Sequence, residues 1–246
     1  MGVVGAVFWK EFRGFINSPL AYIFLILFLL YLGATFFFGG LVAGGFTGIQ
    51  VKEASLEAFF ASLPYAFVII VPALAMKLWP DELKLGTVEL LMSYPVKPRH
   101  VVVGKFLAGL ALIATALACT LVTPFTVASY GRLDWGPVQG SYLASLLLGG
   151  AFLSVGLFAG ALCREQVTAF ILTLLICGAL VLVGKTEYLM TTAEGFSVWA
   201  NRIAFNTRFE SMAKGVIDLR DVIYFTTFIV AFLTLNTTVL EARKAK

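Results

Sequence analysis

Six apolar runs, each long enough to cross a lipid bilayer, dominate this sequence of 246 residues. A helix needs about 20 apolar residues to span roughly 30 Å of hydrocarbon. Hydrophobic residues make up 60% of the chain and charged residues 13%, whereas a soluble domain is nearer half apolar and a quarter charged. We therefore predict an all-α integral membrane protein with six transmembrane helices. The runs cover residues 20–41, 59–78, 101–128, 142–162, 167–183 and 222–240.

Residues 1–19 predict a helix that lies along the membrane surface rather than across it. Its apolar side chains recur at the spacing of one helix face, at Val4, Phe8, Phe12, Phe15 and Ile16. Charged residues interrupt this face, and Trp9 suits the headgroup region. A cleaved signal peptide is the alternative, but the apolar run that follows is too long for one.

The placement of basic residues predicts which side of the membrane each loop faces. If the N-terminus is cytoplasmic, eleven of the eighteen Lys and Arg residues fall on the cytoplasmic side. This bias is the usual one for membrane proteins, and it predicts that both termini are cytoplasmic. The net charge of +4 follows from this orientation rather than from nucleic-acid binding. We treat residues 1–246 as one transmembrane domain with two larger loops, 79–100 inside and 184–221 outside.

A charged segment, residues 77–105, separates the second and third apolar runs. Pro80 suits the first position of a helix, and Asp81 and Glu82 lie where the positive end of the helix dipole favours carboxylates. Two X-Pro pairs further along end that helix, because the residue before proline avoids the α region. We interpret the 79–100 loop as a contact surface for a soluble partner. In the alternative, its carboxylates only solvate a loop and cap a helix.

The 184–221 loop is too apolar to be disordered, and its spacing predicts short helices on the outer surface. Its last part predicts a helix that ends at Gly215, with Asp218 or Asp221 capping the final span. Within the spans, we expect the prolines to kink or locally unwind their helices. Two Gly-x-x-x-Gly motifs predict close helix approach or a dimer contact. The prolines are Pro64, Pro72 and Pro124, and the glycines are Gly40, Gly44, Gly156 and Gly160.

Several kinds of chemistry lack candidate residues. No span centre clearly carries an ionisable residue, which argues against an ion-driven pump. The single histidine, His100, lies at a membrane edge, and the three cysteines match no metal-ligand spacing. The sequence also lacks a phosphate-binding loop, so if ATP drives this protein, another chain binds it. We expect no metal or cofactor on this chain.

Short motifs follow one another through and after the charged segment: Asp81-Glu82, Gly86-Thr87-Val88-Glu89-Leu90-Leu91, Pro95-Val96 and Val103-Gly104-Lys105. Their order and spacing resemble those of type-2 ABC transporter permeases, and the resemblance covers essentially the whole chain. It implies the type-2 ABC exporter permease fold, in which an interfacial elbow helix precedes six spans. It also implies a coupling helix, between spans two and three, that contacts a separate ATPase. Leu83 and Leu85 depart from the pattern, because the family is usually polar there.

The resemblance implies specific contact residues and partners. The ATPase-coupling residues would be Asp81, Glu82, Lys84, Gly86, Thr87, Glu89, Leu90 and Pro95, with Arg164 and Glu165 as a secondary cytoplasmic contact. Two ATPase copies, which would bind ATP and Mg²⁺, and a second permease, either another copy of this chain or a similar permease, would complete an exporter. The basic residues on the inner side suit a bacterial inner membrane. The 208–225 region further resembles the gliding-motility-associated (GldF-like) branch.

Two rival functions stay open from the sequence. The chain could be a mechanical or scaffolding subunit that passes force from a cytoplasmic ATPase to an extracytoplasmic partner at the 184–221 loop. It could also be a membrane-embedded enzyme, although it lacks candidate catalytic residues. We expect the first of these rivals to be the stronger, since the second has no residues to carry out a reaction.

Overall fold

The computed structural model describes residues 2–38, 56–88, 96–131, 133–183, 204–215 and 218–244. Across these ranges the regular secondary structure is entirely helical, which confirms the all-α prediction. The helices are α1 (Val3–Ile16), α2 (Pro19–Phe38), α3 (Glu57–Ala75), α4 (Pro80–Lys84), α5 (Pro98–Cys119), α6 (Val122–Tyr130), α7 (Trp135–Leu162), α8 (Gln166–Val183), α9 (Phe205–Ala213) and α10 (Leu219–Lys244).

Within the part of the chain that the structure describes, five helical stretches are long and apolar enough to cross a membrane, and a sixth arises if α1 and α2 count as one bent span. The axis turns by 70° between these two helices, as expected where a surface helix precedes a span. The five stretches are Phe59–Lys84, Pro98–Ser129, Trp135–Leu162, Gln166–Val183 and Leu219–Arg243. The upper count agrees with the six predicted runs, and only residues 163–165 separate α7 from α8.

Helix α7 forms the centre of the bundle, where it contacts α3, α5, α8, α9 and α10. Small residues let these neighbours approach closely. A Cβ atom built at Gly156 would collide with the Cβ of Ala75, and one at Gly160 would lie 3.4 Å from Pro80 Cδ. The predicted close approach at this glycine pair is therefore confirmed, and it occurs within the chain. Gly40 and Gly44 lie outside the described residues.

The prolines affect their helices differently. Helix α3 remains continuous through Pro64 and Pro72. The third predicted span instead breaks at Thr120–Leu121, between α5 and α6. Thr120 is four positions before Pro124. In a continuous helix the ring of Pro124 would clash with the Thr120 carbonyl, and proline has no N–H to donate to that carbonyl. Local unwinding is thus confirmed at Pro124 and does not occur at the two prolines of α3.

The bundle has two chemically distinct ends. At the end that we call the α9 end, Phe205 packs against Phe152, Phe225 and Phe228, with ring centroids 4.9 to 5.7 Å apart. Helix α9 stops as predicted, since Gly215 has a positive φ of 86°. The opposite end, which we call the α4 end, contains α1, α4, the α7–α8 turn and the last turn of α10.

Candidate functional site

Helix α4 is a single short turn that the sequence specifies at both of its ends. Pro80 occupies the first helical position, where its missing N–H costs nothing, and Leu83 N donates to Trp79 O at 2.9 Å. The helix ends at Gly86, whose φ of 68° is in the left-handed region that glycine tolerates. Thr87 Oγ1 then donates to Glu82 O at 3.2 Å, which folds the chain back over the helix.

A buried lysine joins α4 to its surroundings. The side chain of Lys105, in α5, is only 1% exposed, and its Nζ lies 2.9 Å from Glu11 Oε1 and 3.1 Å from Glu82 Oε2. The same ammonium donates to Leu78 O at 2.7 Å and lies 4.8 Å from the ring centre of Trp79. A buried ammonium is costly unless it is paired and hydrogen-bonded, so these contacts offset the loss of water.

Lys10 completes the group from the exposed side. Its Nζ lies 2.9 Å from Glu82 Oε1 and 3.4 Å from Glu11 Oε1, and its side chain is 67% exposed. We name Lys10, Glu11, Glu82 and Lys105 the charge node. It holds two ammonium groups and two carboxylates, so its formal charge is zero. The 3.1 Å contact of Glu82 Oε2 is ionic, because its geometry does not make it a directed hydrogen bond.

Gly104 explains why α1 can come close enough to α5 for this pairing. A Cβ atom at this position would lie 2.8 Å from Val7 Cβ and 3.2 Å from Val4 O. The absence of a side chain thus lets α1 lie against α5, and the next residue, Lys105, then reaches Glu11. The Gly-Lys pair that the sequence singled out therefore has a packing role and an ionic role in adjacent positions.

The other side of α4 contacts the α7–α8 turn. Gln166 Nε2 donates to Asp81 Oδ1, and Lys84 Nζ lies 3.4 Å from Glu165 Oε2. The C-terminus of α7 just before this turn is covered by α10, since Arg243 donates to Ala161 O at 2.9 Å. Helix α4 therefore lies between α1 and α5 on one side and the α7–α8 turn on the other.

The tip of the α4 turn is left uncovered. Lys84, Leu85 and Thr87 are exposed, and Arg164 and Glu165 are exposed beside them. Leu85 is 76% exposed, although it is a large apolar residue outside the helical span. The Lys84–Glu165 pair contributes little stability, because both of its side chains are about two-thirds exposed. This face combines one apolar side chain with charges of both signs.

The structure brings together several of the residues that the sequence singled out. The carboxylates of Asp81 and Glu82 contact partners within the chain. The exposed face instead holds Lys84, Thr87, Arg164 and Glu165, and Gly86 lies between the first two of these in the chain. Glu89, Leu90 and Pro95 lie outside the described residues. That these residues contact a partner stays a prediction.

Sequence reasoning missed Lys10, Glu11 and Gln166. A signal for the first two existed, since a lysine at position 105 interrupts an apolar run and needs a buried carboxylate near it. Local spacing cannot supply that partner, which is 94 positions away in the chain. Among the described residues, no group of three or more His, Cys, Asp or Glu side chains is placed to hold a metal ion.

The α9 end carries a cavity of about 590 Å³ between α3, α7 and α9. Phe60, Val138 and Phe209 line it, together with Asp134 and Lys214.

An ion pair lies at the same end of the bundle. Arg208 Nη1 donates to Asp221 Oδ1 at 2.7 Å, and the Arg208 guanidinium lies 4.8 Å from the ring centre of Tyr224. Asp218, rather than Asp221, caps α10, because its Oδ1 accepts from Arg220 N at 2.9 Å.

Comparison with known proteins places this architecture in a family. The sequence profile of the ABC-2 family transporter proteins matches residues 5–244. The chain belongs to the ABC-2 transporter family. This ABC-2 membrane subunit is also 33% identical, over 183 residues, to a Pseudomonas aeruginosa protein named "Probable ABC transporter permease protein NosY". The alignment covers 69% of the present chain and 63% of that relative. Family membership identifies the chain as a permease subunit of the ABC-2 type.

Proposed function

We propose that this ABC-2 membrane subunit receives motion from a separate ABC ATPase through α4 and uses it to drive export across the membrane. One observation carries the proposal. Helix α4 is held from both sides by contacts within the chain, yet its tip at Lys84, Leu85 and Thr87 stays exposed. A push on such a tip moves the helices that hold it, since α4 has little freedom to move alone.

The residues around α4 have two proposed roles, direct contact with the ATPase and retention of α4 in its position. Lys84, Gly86, Thr87, Arg164 and Glu165 would meet the ATPase directly, and the sequence pattern adds Glu89, Leu90 and Pro95. Asp81 and Glu82 would instead keep α4 in place, because their carboxylates already contact Gln166, Lys10 and Lys105. Leu85 joins the contact surface, since an exposed apolar side chain at the tip would become buried on binding.

The proposed assembly has two membrane subunits and two ATPases in a bacterial inner membrane, with both termini and α4 on the cytoplasmic side. The distribution of basic residues supports this orientation. Exposed apolar side chains on α2 and α8, such as Ile26, Leu30 and Leu175, suit contact with lipid or with a second copy. ATP and Mg²⁺ would be bound by the ATPase, whose closure would move α4.

The assembly is tested by purifying the tagged chain from its native membrane in a mild detergent, followed by mass spectrometry and native mass determination. We expect an ATPase with a phosphate-binding loop, at two copies per two membrane subunits. If the chain is recovered without an ATPase at every yield, the proposal is wrong.

Leu85→Asp tests the contact surface within that assembly. We expect this change to reduce ATPase recovery, because it places a charge where an apolar side chain would be buried. Leu219→Asp is the matched control, since Leu219 is 70% exposed at the α9 end. Equal ATPase recovery with both variants would remove Leu85 from the contact surface.

A second candidate function is force transmission to an extracytoplasmic partner, with no substrate moved. The observation in its favour is the packing of α9, which the Phe205 cluster and the Arg208–Asp221 pair join to α7 and α10. Movement of those spans would reach the outer surface through α9. This function predicts a stoichiometric extracytoplasmic protein in the purified complex and ATP turnover that no candidate substrate changes. A substrate that stimulates turnover, without such a protein, would contradict it.

The narrower relation to the gliding-motility-associated branch is a proposal that rests on residues 208–225. It predicts that deletion of the gene abolishes gliding on a surface, in an organism that glides. Unchanged gliding after the deletion would argue against it.

A further inference from the structure

We propose that Lys105 is a positioning residue that joins the surface helix α1 to α4, so that α1 follows α4 when the ATPase acts. The inference rests on the proposed function. It adds α1 as a second moving helix, which would move without contacting the ATPase itself. It comes from one juxtaposition: a single buried ammonium lies 2.9 Å from a carboxylate of α1 and 3.1 Å from a carboxylate of α4.

The two lysines of the charge node are not equivalent. Both of them bridge Glu11 and Glu82, yet the side chain of Lys105 is 1% exposed and that of Lys10 is 67% exposed. Water screens the exposed bridge, so its contribution is small. The buried bridge is screened much less, and its ammonium is also held by Leu78 O and by the Trp79 ring. Lys105 therefore supplies the stiff connection between the two helices.

The charge balance determines what happens when this connection is lost. Without the Lys105 ammonium, Glu11 and Glu82 would face each other beside one exposed lysine. Like charges in a partly buried site repel, so α1 and α4 would separate rather than relax together. Without the Lys10 ammonium, Lys105 would still hold both carboxylates. The node thus predicts a large asymmetry between two changes that each remove one lysine charge.

The arms of the node can also be separated. Glu11→Gln removes the charge of the α1 carboxylate and leaves the Lys105–Glu82 pair in place. This variant loosens α1 and keeps α4 attached to α5. It is the second variant of choice, because Lys105→Met leaves two carboxylates that share one exposed lysine and is the more disruptive of the two changes.

The test is hydrogen–deuterium exchange on the membrane subunit assembled with its ATPase, without nucleotide and with ATP trapped. In the unmodified complex we expect exchange to change with nucleotide both in peptides that contain α4 and in peptides that contain α1. In Lys105→Met and in Glu11→Gln, the nucleotide-dependent change in α1 should be lost while that around α4 persists. Lys105→Arg and Lys10→Met should retain it.

The outcomes distinguish the two proposals. If α4 does not respond to nucleotide in the unmodified complex, the proposed function is wrong. If α4 responds and α1 does not, or if α1 in Glu11→Gln and Lys105→Met responds to nucleotide as it does in the unmodified complex, the assignment of Lys105 is overturned. A purely structural role for Lys105 predicts a different result. In that case, α1 exchange in the variants rises by the same amount with and without nucleotide, and the nucleotide-dependent change is kept.

Discussion

The α4 end and the α9 end of the bundle hold their helices by different means. At the α4 end, four charges from three separate segments form the charge node, and the lysine at its centre is 1% exposed. At the α9 end, aromatic rings pack around Phe205, and an ion pair joins Arg208 to Asp221, 13 positions apart. The first arrangement connects segments distant in sequence, and the second fastens a short helix beside its successor.

This difference has a physical consequence. Breaking a buried ion pair leaves a charge uncompensated and costs about 3–5 kcal/mol, whereas an aromatic pair contributes only about 0.5–1.5 kcal/mol beyond its buried area. The α4 end should therefore resist relative motion of α1, α4 and α5. The α9 end, with a cavity of about 590 Å³, has room for its helices to shift. The α4 end therefore suits a rigid contact that receives force, and the α9 end suits a conformational change.

Lys105→Met would break the α4 end, and we expect the largest effect from it. Removal of one partner from a buried ion pair costs about 3–5 kcal/mol, because a charge is left buried without compensation. Thermal unfolding of the detergent-solubilised protein would measure this loss. Lys10→Met is the control, with an expected cost of about 0–1 kcal/mol because its side chain is 67% exposed. Similar costs for the two variants would contradict the asymmetry of the node.

Gly104→Ala would test the close approach of α1 and should have an intermediate effect. The added Cβ would lie 2.8 Å from Val7 Cβ, so α1 must move away and its distance from Lys105 must grow. Overpacking of this kind costs about 1–3 kcal/mol. Gly178→Ala is the matched control in a span, since its Cβ would lie 3.8 Å from Val68. The same unfolding measurement applies, and a destabilised Gly178→Ala with an unaffected Gly104→Ala would contradict the packing.

Asp221→Asn would sharpen the contrast from the α9 end, with the smallest expected effect of the three. Arg208 is 28% exposed and also contacts Tyr224, so its charge keeps access to water when the carboxylate is lost. We expect a cost of about 1–2 kcal/mol, less than for Lys105→Met. A loss as large as that of Lys105→Met, in the same assay, would mean that the two ends are equally dependent on buried charge.

Much of the fold could be predicted from the sequence, because length and apolarity suffice to locate spans. The fourth predicted span, 142–162, begins seven residues too late, because α7 begins at Trp135. Residues 135–141 are a mixture of aromatic, glycine and polar residues that does not read as a span. They are helical because Asp134 caps them, accepting from Gly136 N at 3.0 Å.

The candidate site could be predicted only in outline. Pro80, Gly86 and the two acidic residues marked a short helix, since their roles depend on local backbone geometry. The partners of Glu82 did not follow, because Lys10 and Lys105 approach it from segments 72 and 23 positions away. Ion pairs between distant segments have no regular spacing in the sequence, so sequence patterns do not reveal them. The unexpected inward use of Glu82 also moved the exposed surface toward Leu85, where the family pattern expects a polar residue.

The most direct test of the central claim is to replace Leu85 with a photo-crosslinking amino acid in living cells and identify what it captures. We predict a covalent product with an ABC ATPase from position 85 and none from position 219, which is similarly exposed at the opposite end. Capture of an ATPase from position 219 and not from position 85, or from neither position in cells where the ATPase is present, would contradict coupling through α4.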